Sequence, residues 1–354
     1  MNQRELTAKQ PSKSYHEETL PFSSDTKLRD DFVNYLGDLR FGKILEELDL
    51  AAGKISYKHA DGFARDLTIV TASCDRIDLV APLRSDRDLI IRGQVNHVGS
   101  SSMEVGLRID CRETDGSLAL VARAYFIMVA RRGEGAARVN PLSPQSVDEQ
   151  RRYEAAVLRR KQQRAAQKAD YRRQAPLPEE SVLLHDLYLE TRDGRVQGVF
   201  MAETQLQSTV IMHPQERNIH HKIFGGYLMR LSFELGWSTA HLYCGLRPLF
   251  LNADQFDFYK PVEIGSLVCI TSQITFTGVT SFIVEVVVEV VDPRTGSREI
   301  TNICYFTFAA VDENRRPKQV PKVLPNTYEE GLKYLDGLRR YRQGKELRAK
   351  RTKR

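Results

Sequence analysis

Gly225 and Gly226 stand at the head of a helix-like stretch, where a pair of residues without side chains lets an oxygen that gains negative charge approach unpaired backbone N–H groups. The helix dipole favours the same charge. Just upstream, Asn218 and His221 are polar groups able to hold a water or a carbonyl. Arg217, Lys222, Arg230 and Lys260 surround the pair in sequence and supply cations for phosphate groups. His213, His220 and His221 lack the spacing of a metal site, so none is expected. The chain has no GlyXaaSerXaaGly elbow, no phosphate-binding GlyLysSer/Thr loop and no paired-Cys motif.

The elements that position these residues occur twice. AlaSerCysAspArgIleAspLeu at 72–79 is repeated as AsnAlaAspGlnPheAspPheTyr near 250, and an offset of 179 carries Asp75, Asp78, Pro82, Ser102 and Val105 onto Asp254, Asp257, Pro261, Ser281 and Val284. One residue later in register, Tyr125 and Phe126 fall on Tyr305 and Phe306. A duplicated unit of this kind predicts two similar domains packed together, with function between them.

In the first copy, residues 27–36 and 44–52 read as helix, followed by strands at 67–80, 88–98, 102–112 and 117–130. In the second, a helix from Gly225 precedes strands at 249–258, 266–277, 280–291 and 298–311. The fold class is α+β, with boundaries at 1–27 (N-terminal tail), 28–132 (first domain), 133–181 (charged helical connector), 182–312 (second domain) and 313–354 (C-terminal segment with a basic tail). Residues 146–173 read as one charged helix that ends at Pro176 and Pro178.

A length of 354 residues suits two cores, and 41% apolar with 28% charged residues is a globular composition. The five cysteines are odd in number and scattered, which favours a reducing compartment and buried thiols. No apolar run approaches the roughly 18 residues that span a bilayer. The net charge of +6 gathers in 151–173 and in Arg342, Lys345, Arg348, Lys350, Arg351, Lys353 and Arg354, a pattern that fits either a solvated helix and tail or an anionic partner such as nucleic acid or anionic lipid.

One long helix wrapped by an antiparallel sheet, present twice, resembles a double hotdog. HisProGlnGluArgAsnIleHisHisLysIlePheGlyGlyTyrLeuMet at 213–229 resembles the Pro, Asn and PheGlyGly pattern of hotdog acyl-CoA thioesterases. ArgPheGlyLysIleLeuGluGluLeuAsp at 40–49, SerMetGluVal at 102–105, AsnProLeu at 140–142 and LysProValGluIleGlySer at 260–266 look like the mitochondrial acyl-coenzyme A thioesterase 9 branch.

The resemblance implies tandem hotdog domains packed as an intramolecular pseudo-dimer, hydrolysis of fatty acyl-CoA to free acid and CoA, a mitochondrial matrix location, assembly into homo-oligomers and no cofactor beyond the CoA of the substrate. It also implies an oxyanion stabiliser, for which Gly225 and Gly226 are the candidates, and a carboxylate two to three turns into the helix. Counted from the Phe of the PheGly motif, that acid falls at Phe233 in the second copy and at Leu50 in the first, so Glu234 and Asp49 are the neighbouring candidates. The first copy reads PheGlyLys at 41–43, so Gly225 and Gly226 with Asp49 form the better site, and Phe41 and Gly42 with Glu234 a degraded one. The alternative is a weak or inactive hotdog that binds acyl-CoA or serves as a scaffold, contacting RNA or a protein through its basic tail.

Overall fold

The computed structural model describes residues 6–133, 135–168, 175–216 and 222–352. The chain divides into two compact units, the first made of 1–162, 212–231 and 255–266, the second of 163–211, 232–254 and 267–354.

The first unit opens with a 3-10 turn, Pro11–Ser14, then β1 (His16–Leu20), α1 (Thr26–Phe32), α2 (Phe41–Ala60), β2 (Thr68–Leu79), β3 (Leu89–Val98), β4 (Ser102–Arg112), β5 (Leu118–Arg132), β6 (Gly135–Ala136) and most of α3 (Val147–Lys168). Its sheet runs in the order β1-β3-β4-β5-β2, and each neighbouring pair in that order is antiparallel. Helix α2 forms because Ile44, Leu45, Leu48, Ala52 and Ile55 recur at helical spacing, and all five are fully buried against that sheet. It ends where Asp61 turns left-handed and its backbone N–H donates to Tyr57 O.

The stretch expected to be an N-terminal tail is partly structural, since β1 pairs with β3 and Ser14 Oγ accepts from Val95 N–H at 3.0 Å. The first expected helix is shorter than its sequence pattern. Asn34 Oδ1 accepts from Leu36 and Asp38 N–H, and this turn offers the backbone an alternative to the helix.

The second unit contains α4 (Pro178–Arg192), β7 (Val199–Phe200), β8 (Leu206–Ile211), the greater part of α5 (Gly225–Cys244) and of β9 (Arg247–Phe258), β10 (Leu267–Thr277), β11 (Ser281–Val291), β12 (Arg298–Val311), β13 (Val323–Leu324) and α6 (Tyr328–Thr352). Its sheet order is β9-β12-β11-β10-β8, and β7 and β13 form a separate parallel pair. The eight long strands lie within two residues of the sequence reading, because alternating β-branched and polar residues set both their period and their ends.

Pro178 begins a helix rather than ending one. It occupies the first turn of α4, where a missing N–H costs nothing, and Glu180 closes that turn by accepting from Leu177 N–H at 2.9 Å.

The connector and the basic tail are counterparts. Helix α3 opens with Glu149 accepting from Gln145 and Ser146 N–H while Ser146 Oγ accepts from Glu149 N–H. Helix α6 repeats this with Glu330, Asn326 and Thr327. Each helix then lays an arginine over a sheet tyrosine, Arg159 at 3.7 Å from the Tyr125 ring centroid and Arg340 at 3.6 Å from that of Tyr305. Arg159 also pairs with buried Glu104 and Arg340 with Asp336 and Asp254. These cations dock the helices on their own sheets, and the expected basic tail is helical as far as Thr352.

Candidate functional site

Helix α2, the first turns of α5 and the bulged strand β2 meet inside the first unit. Asp49, on the sheet-facing side of α2, is 2% exposed. Its Oδ2 accepts from Gly226 N–H at 2.7 Å and its Oδ1 accepts from Thr71 Oγ1–H at 2.6 Å. Burial pushes the carboxyl up to about 6, and the Thr71 and Gly226 hydrogen bonds oppose that rise by favouring the charged form.

Gly225 and Gly226 serve different ends. A Cβ at 226 would lie 2.9 Å from Glu46 Cα, so Gly226 lets the two helices cross closely and bring its N–H to Asp49. A Cβ at 225 would lie 3.1 Å from Asp49 Oδ2 and 3.5 Å from the Phe258 ring, so Gly225 keeps space open beside the carboxylate. The Gly226 amide, expected to face a substrate oxygen, is thus given to the acid in this state. Gly225 heads the helix, whose first N–H groups have no partner within it.

Thr71 was not legible as a site residue from its local sequence. Register in the β2–β5 pair shifts between Thr71 and Ser73, and a bulge of this kind re-aims a side chain. Replacing Thr71 with Val keeps its shape and removes the donor to Oδ1, so the Asp49 carboxyl is expected to titrate above its wild-type value. Thr71→Ser should leave it in place. Carboxyl carbon NMR of the full chain follows both, and an unmoved titration in the Val variant would show that the bond does not hold the carboxylate.

The one-residue displacement of the acid is an effect of counting. In α2 the buried set includes Gly42, Ile44, Leu45, Leu48, Asp49, Ala52, Ile55 and Ser56; in α5 it includes Gly226, Leu228, Met229, Ser232, Phe233, Gly236, Thr239 and Ala240, the same pattern shifted by 184. Gly42 therefore matches the second glycine of the later copy, and Asp49 holds the position that Phe233 holds there. Glu234 corresponds to Leu50, which is 42% exposed. Glu234 is half-buried, and its backbone carbonyl accepts from Ser238 Oγ at 2.8 Å.

In the second unit, Phe233 packs edge-on against Phe250 at 5.1 Å and against Phe306 at 5.3 Å. The 179 offset carries Thr71 onto Phe250, so a hydrogen-bonded Asp and Thr in one copy are replaced by a packed pair of Phe in the other. That linked exchange was present in the repeat and is the signal that could have found Thr71.

Arg230 Nη1 donates to Glu46 Oε2 at 3.2 Å and is committed there. Lys222 forms an ion pair with Glu263, and Lys260 is exposed. Arg217, Asn218 and His221 lie outside the described residues. Among the described residues no cluster of His, Cys, Asp or Glu is placed to hold a metal ion, and no helix is long and apolar enough to cross a membrane.

The model of the thioesterase superfamily matches residues 36–117 and 220–297. The chain is 36% identical to mouse mitochondrial acyl-coenzyme A thioesterase 9 over 96% of this chain and 80% of that protein. It is 37% identical to the human protein of the same name, over 93% and 77%. A crystal structure of a putative oleoyl thioesterase from Lactobacillus plantarum superposes with a TM-score of 0.51 at 11% identity, covering 84% of this chain and 97% of that one, which is a likeness of fold. Two superfamily segments in one chain, each a long helix on an antiparallel sheet, and identity at this level along nearly the whole length make the chain a member of the acyl-coenzyme A thioesterase 9 family, built from tandem hotdog domains.

Proposed function

We propose that the protein hydrolyses acyl-CoA thioesters to the free acid and CoA, with Asp49 as the general base. The observation that carries this reading is a buried carboxylate, aimed by Thr71 and Gly226, at the head of a Gly-Gly helix in a chain of this family. A carboxyl near 6 is ionised at neutral pH and still basic enough to take a proton from water. The carboxylate has lone pairs beyond the two already engaged.

Water attacks the thioester carbonyl carbon as its proton passes to Asp49. The carbonyl oxygen becomes an oxyanion facing the first N–H groups of α5, with the Gly225 amide as donor. The C–S bond then breaks, the leaving thiolate takes the proton back from Asp49, and the carboxylate is restored. Asn218 and His221 belong to the same proposal as holders of the water, and Arg217, Lys222 and Lys260 as cations for the CoA phosphates. One competent site per chain is proposed, because Phe233 and Phe250 occupy the positions of Asp49 and Thr71 in the second copy. A mitochondrial location is proposed on the names of the mouse and human relatives.

The test is hydrolysis of short, medium and long acyl-CoAs by the purified full chain as a function of pH. The rate should rise with one ionisation near 6 and stay level above it. Absence of turnover on the whole panel would overturn the reading and leave an acyl-CoA binder; a profile with no ionisation in that region would remove Asp49 as the base.

A further inference from the structure

The crossing of α2 with the first turns of α5 is reciprocal. A Cβ on Gly42 would lie 3.3 Å from the Arg230 carbonyl oxygen and 3.4 Å from its Cα, and a Cβ on Gly226 would lie 2.9 Å from Glu46 Cα. The shared burial pattern makes Gly42 the counterpart of Gly226 and Glu46 the counterpart of Arg230. Each glycine therefore receives the residue four places along the other helix, and at the centre of the crossing one position meets its own counterpart.

Two identical helices would place like charges there. In this chain the two copies differ, with Glu46 against Arg230 at 3.2 Å and side chains only 14% and 18% exposed. Lys43 reaches the same Glu46 oxygen at 3.3 Å, and the Arg230 guanidinium lies 5.0 Å from the Tyr227 ring centroid. The pair is built into the contact rather than laid over it.

We propose that Glu46 and Arg230 are a registration pair: their opposite charges select the pairing of unlike helices and set the crossing that delivers Gly226 N–H to Asp49. Glu46 lies three residues before Asp49 on one helix, and Arg230 four residues after Gly226 on the other. Each couple is about one turn apart on the same face of its helix, so a shift of one moves the other. Glu46 and Arg230 act through the Asp49 hydrogen bond and are positioning residues. The kinetic consequence rests on Asp49 being the base; the structural consequence does not.

The experiment compares Glu46→Arg, Arg230→Glu, the milder Glu46→Gln and the double exchange Glu46→Arg/Arg230→Glu in the full chain. It reads kcat, KM, the acid limb of the pH profile and hydrogen exchange at the Gly226 amide. The single charge reversals should lower kcat by about 10²-fold, with KM changed much less, because the carboxylate loses its set position. Their acid limb should move upward and the Gly226 amide should exchange faster, since the bond that favours the charged carboxylate is lost. Glu46→Gln should show the same changes at smaller size, and the double exchange should recover most of each.

A double exchange no better than the singles overturns the proposal. So does a loss of rate that follows the folded fraction while the acid limb and Gly226 exchange stay unmoved. If Asp49→Asn proves fully active while Gly226 exchange still responds and recovers, the base assignment fails and the registration pair stands.

Discussion

Asp49→Asn is expected to lower kcat by ~10²–10⁴-fold and, at pH 8, to make the protein more stable. Both effects follow from one buried charge. The Asp49 carboxyl is raised from 3.8 to about 6, so between those values the folded chain binds a proton that the unfolded chain has released. The stability this contributes is present below pH 4 and is lost as pH rises through 6. At pH 8 the ionised group costs roughly 3 kcal/mol relative to the unfolded chain.

Asparagine carries no charge to bury. Its Oδ1 still accepts from Gly226 N–H and its Nδ2 donates to Thr71 Oγ1, so the hydrogen bonds persist while the base is gone. A gain of about 1–3 kcal/mol, or a few degrees in Tm, is expected at pH 8 and little or none at pH 4. Thermal unfolding of both proteins at the two pH values, with kcat at pH 8, checks this. An equal Tm difference at both would mean that burial does not raise this carboxyl.

Gly226→Ala and Gly225→Ala should fail in different ways. At 226 the new methyl meets Glu46 Cα at 2.9 Å, and backbone cannot rotate aside as a side chain can. The helices must part, which costs about 1–3 kcal/mol. The Gly226 N–H then leaves Asp49, and kcat should fall by ~10²-fold. At 225 the methyl meets a carboxylate oxygen at 3.1 Å and a ring at 3.5 Å, while alanine favours the helix by up to roughly 1 kcal/mol over glycine. That variant should hold its stability and lose rate through crowding of the acid. Urea unfolding and kcat on the same samples separate the two, and a Gly226→Ala chain of unchanged stability and rate would show that the crossing has room.

The strands were readable because side chains alternate along a strand every two residues, as with Val284, Val286 and Val288 against Glu285 and Glu289, although Glu285 is buried as well and pairs with Lys333. The helical caps of α3 and α6 were less visible, although SerXaaXaaGlu at 146–149 and ThrXaaXaaGlu at 327–330 carry the pattern. Charge density in those segments suggested solvent or an anionic partner. Arg159 and Arg340 face inward because Glu104, Asp254, Tyr125 and Tyr305 await them on the sheets, and no local sequence shows such partners.

The acid was half legible. Counted from Phe, Asp49 and Glu234 each fell one residue off the expected place, since a missing glycine slides the count and a helix turns about 100° per residue, and only the intact glycine pair favoured Asp49. Burial decides between them: Asp49 lies on the face shared with Leu45, Leu48 and Ala52, and Glu234 does not.

The sequence by itself determined that one unit occurs twice, that each copy is a helix followed by long strands, and that the copies diverged at the helix heads. Periodicity and spacing are properties of the chain, so they survive without coordinates. Only the tertiary structure decided which carboxylate is buried, which amide it takes and which threonine, brought by a bulge 22 residues away, holds its other oxygen. Desolvation and hydrogen bonding depend on distances across segments far apart in sequence, and folding alone sets those distances.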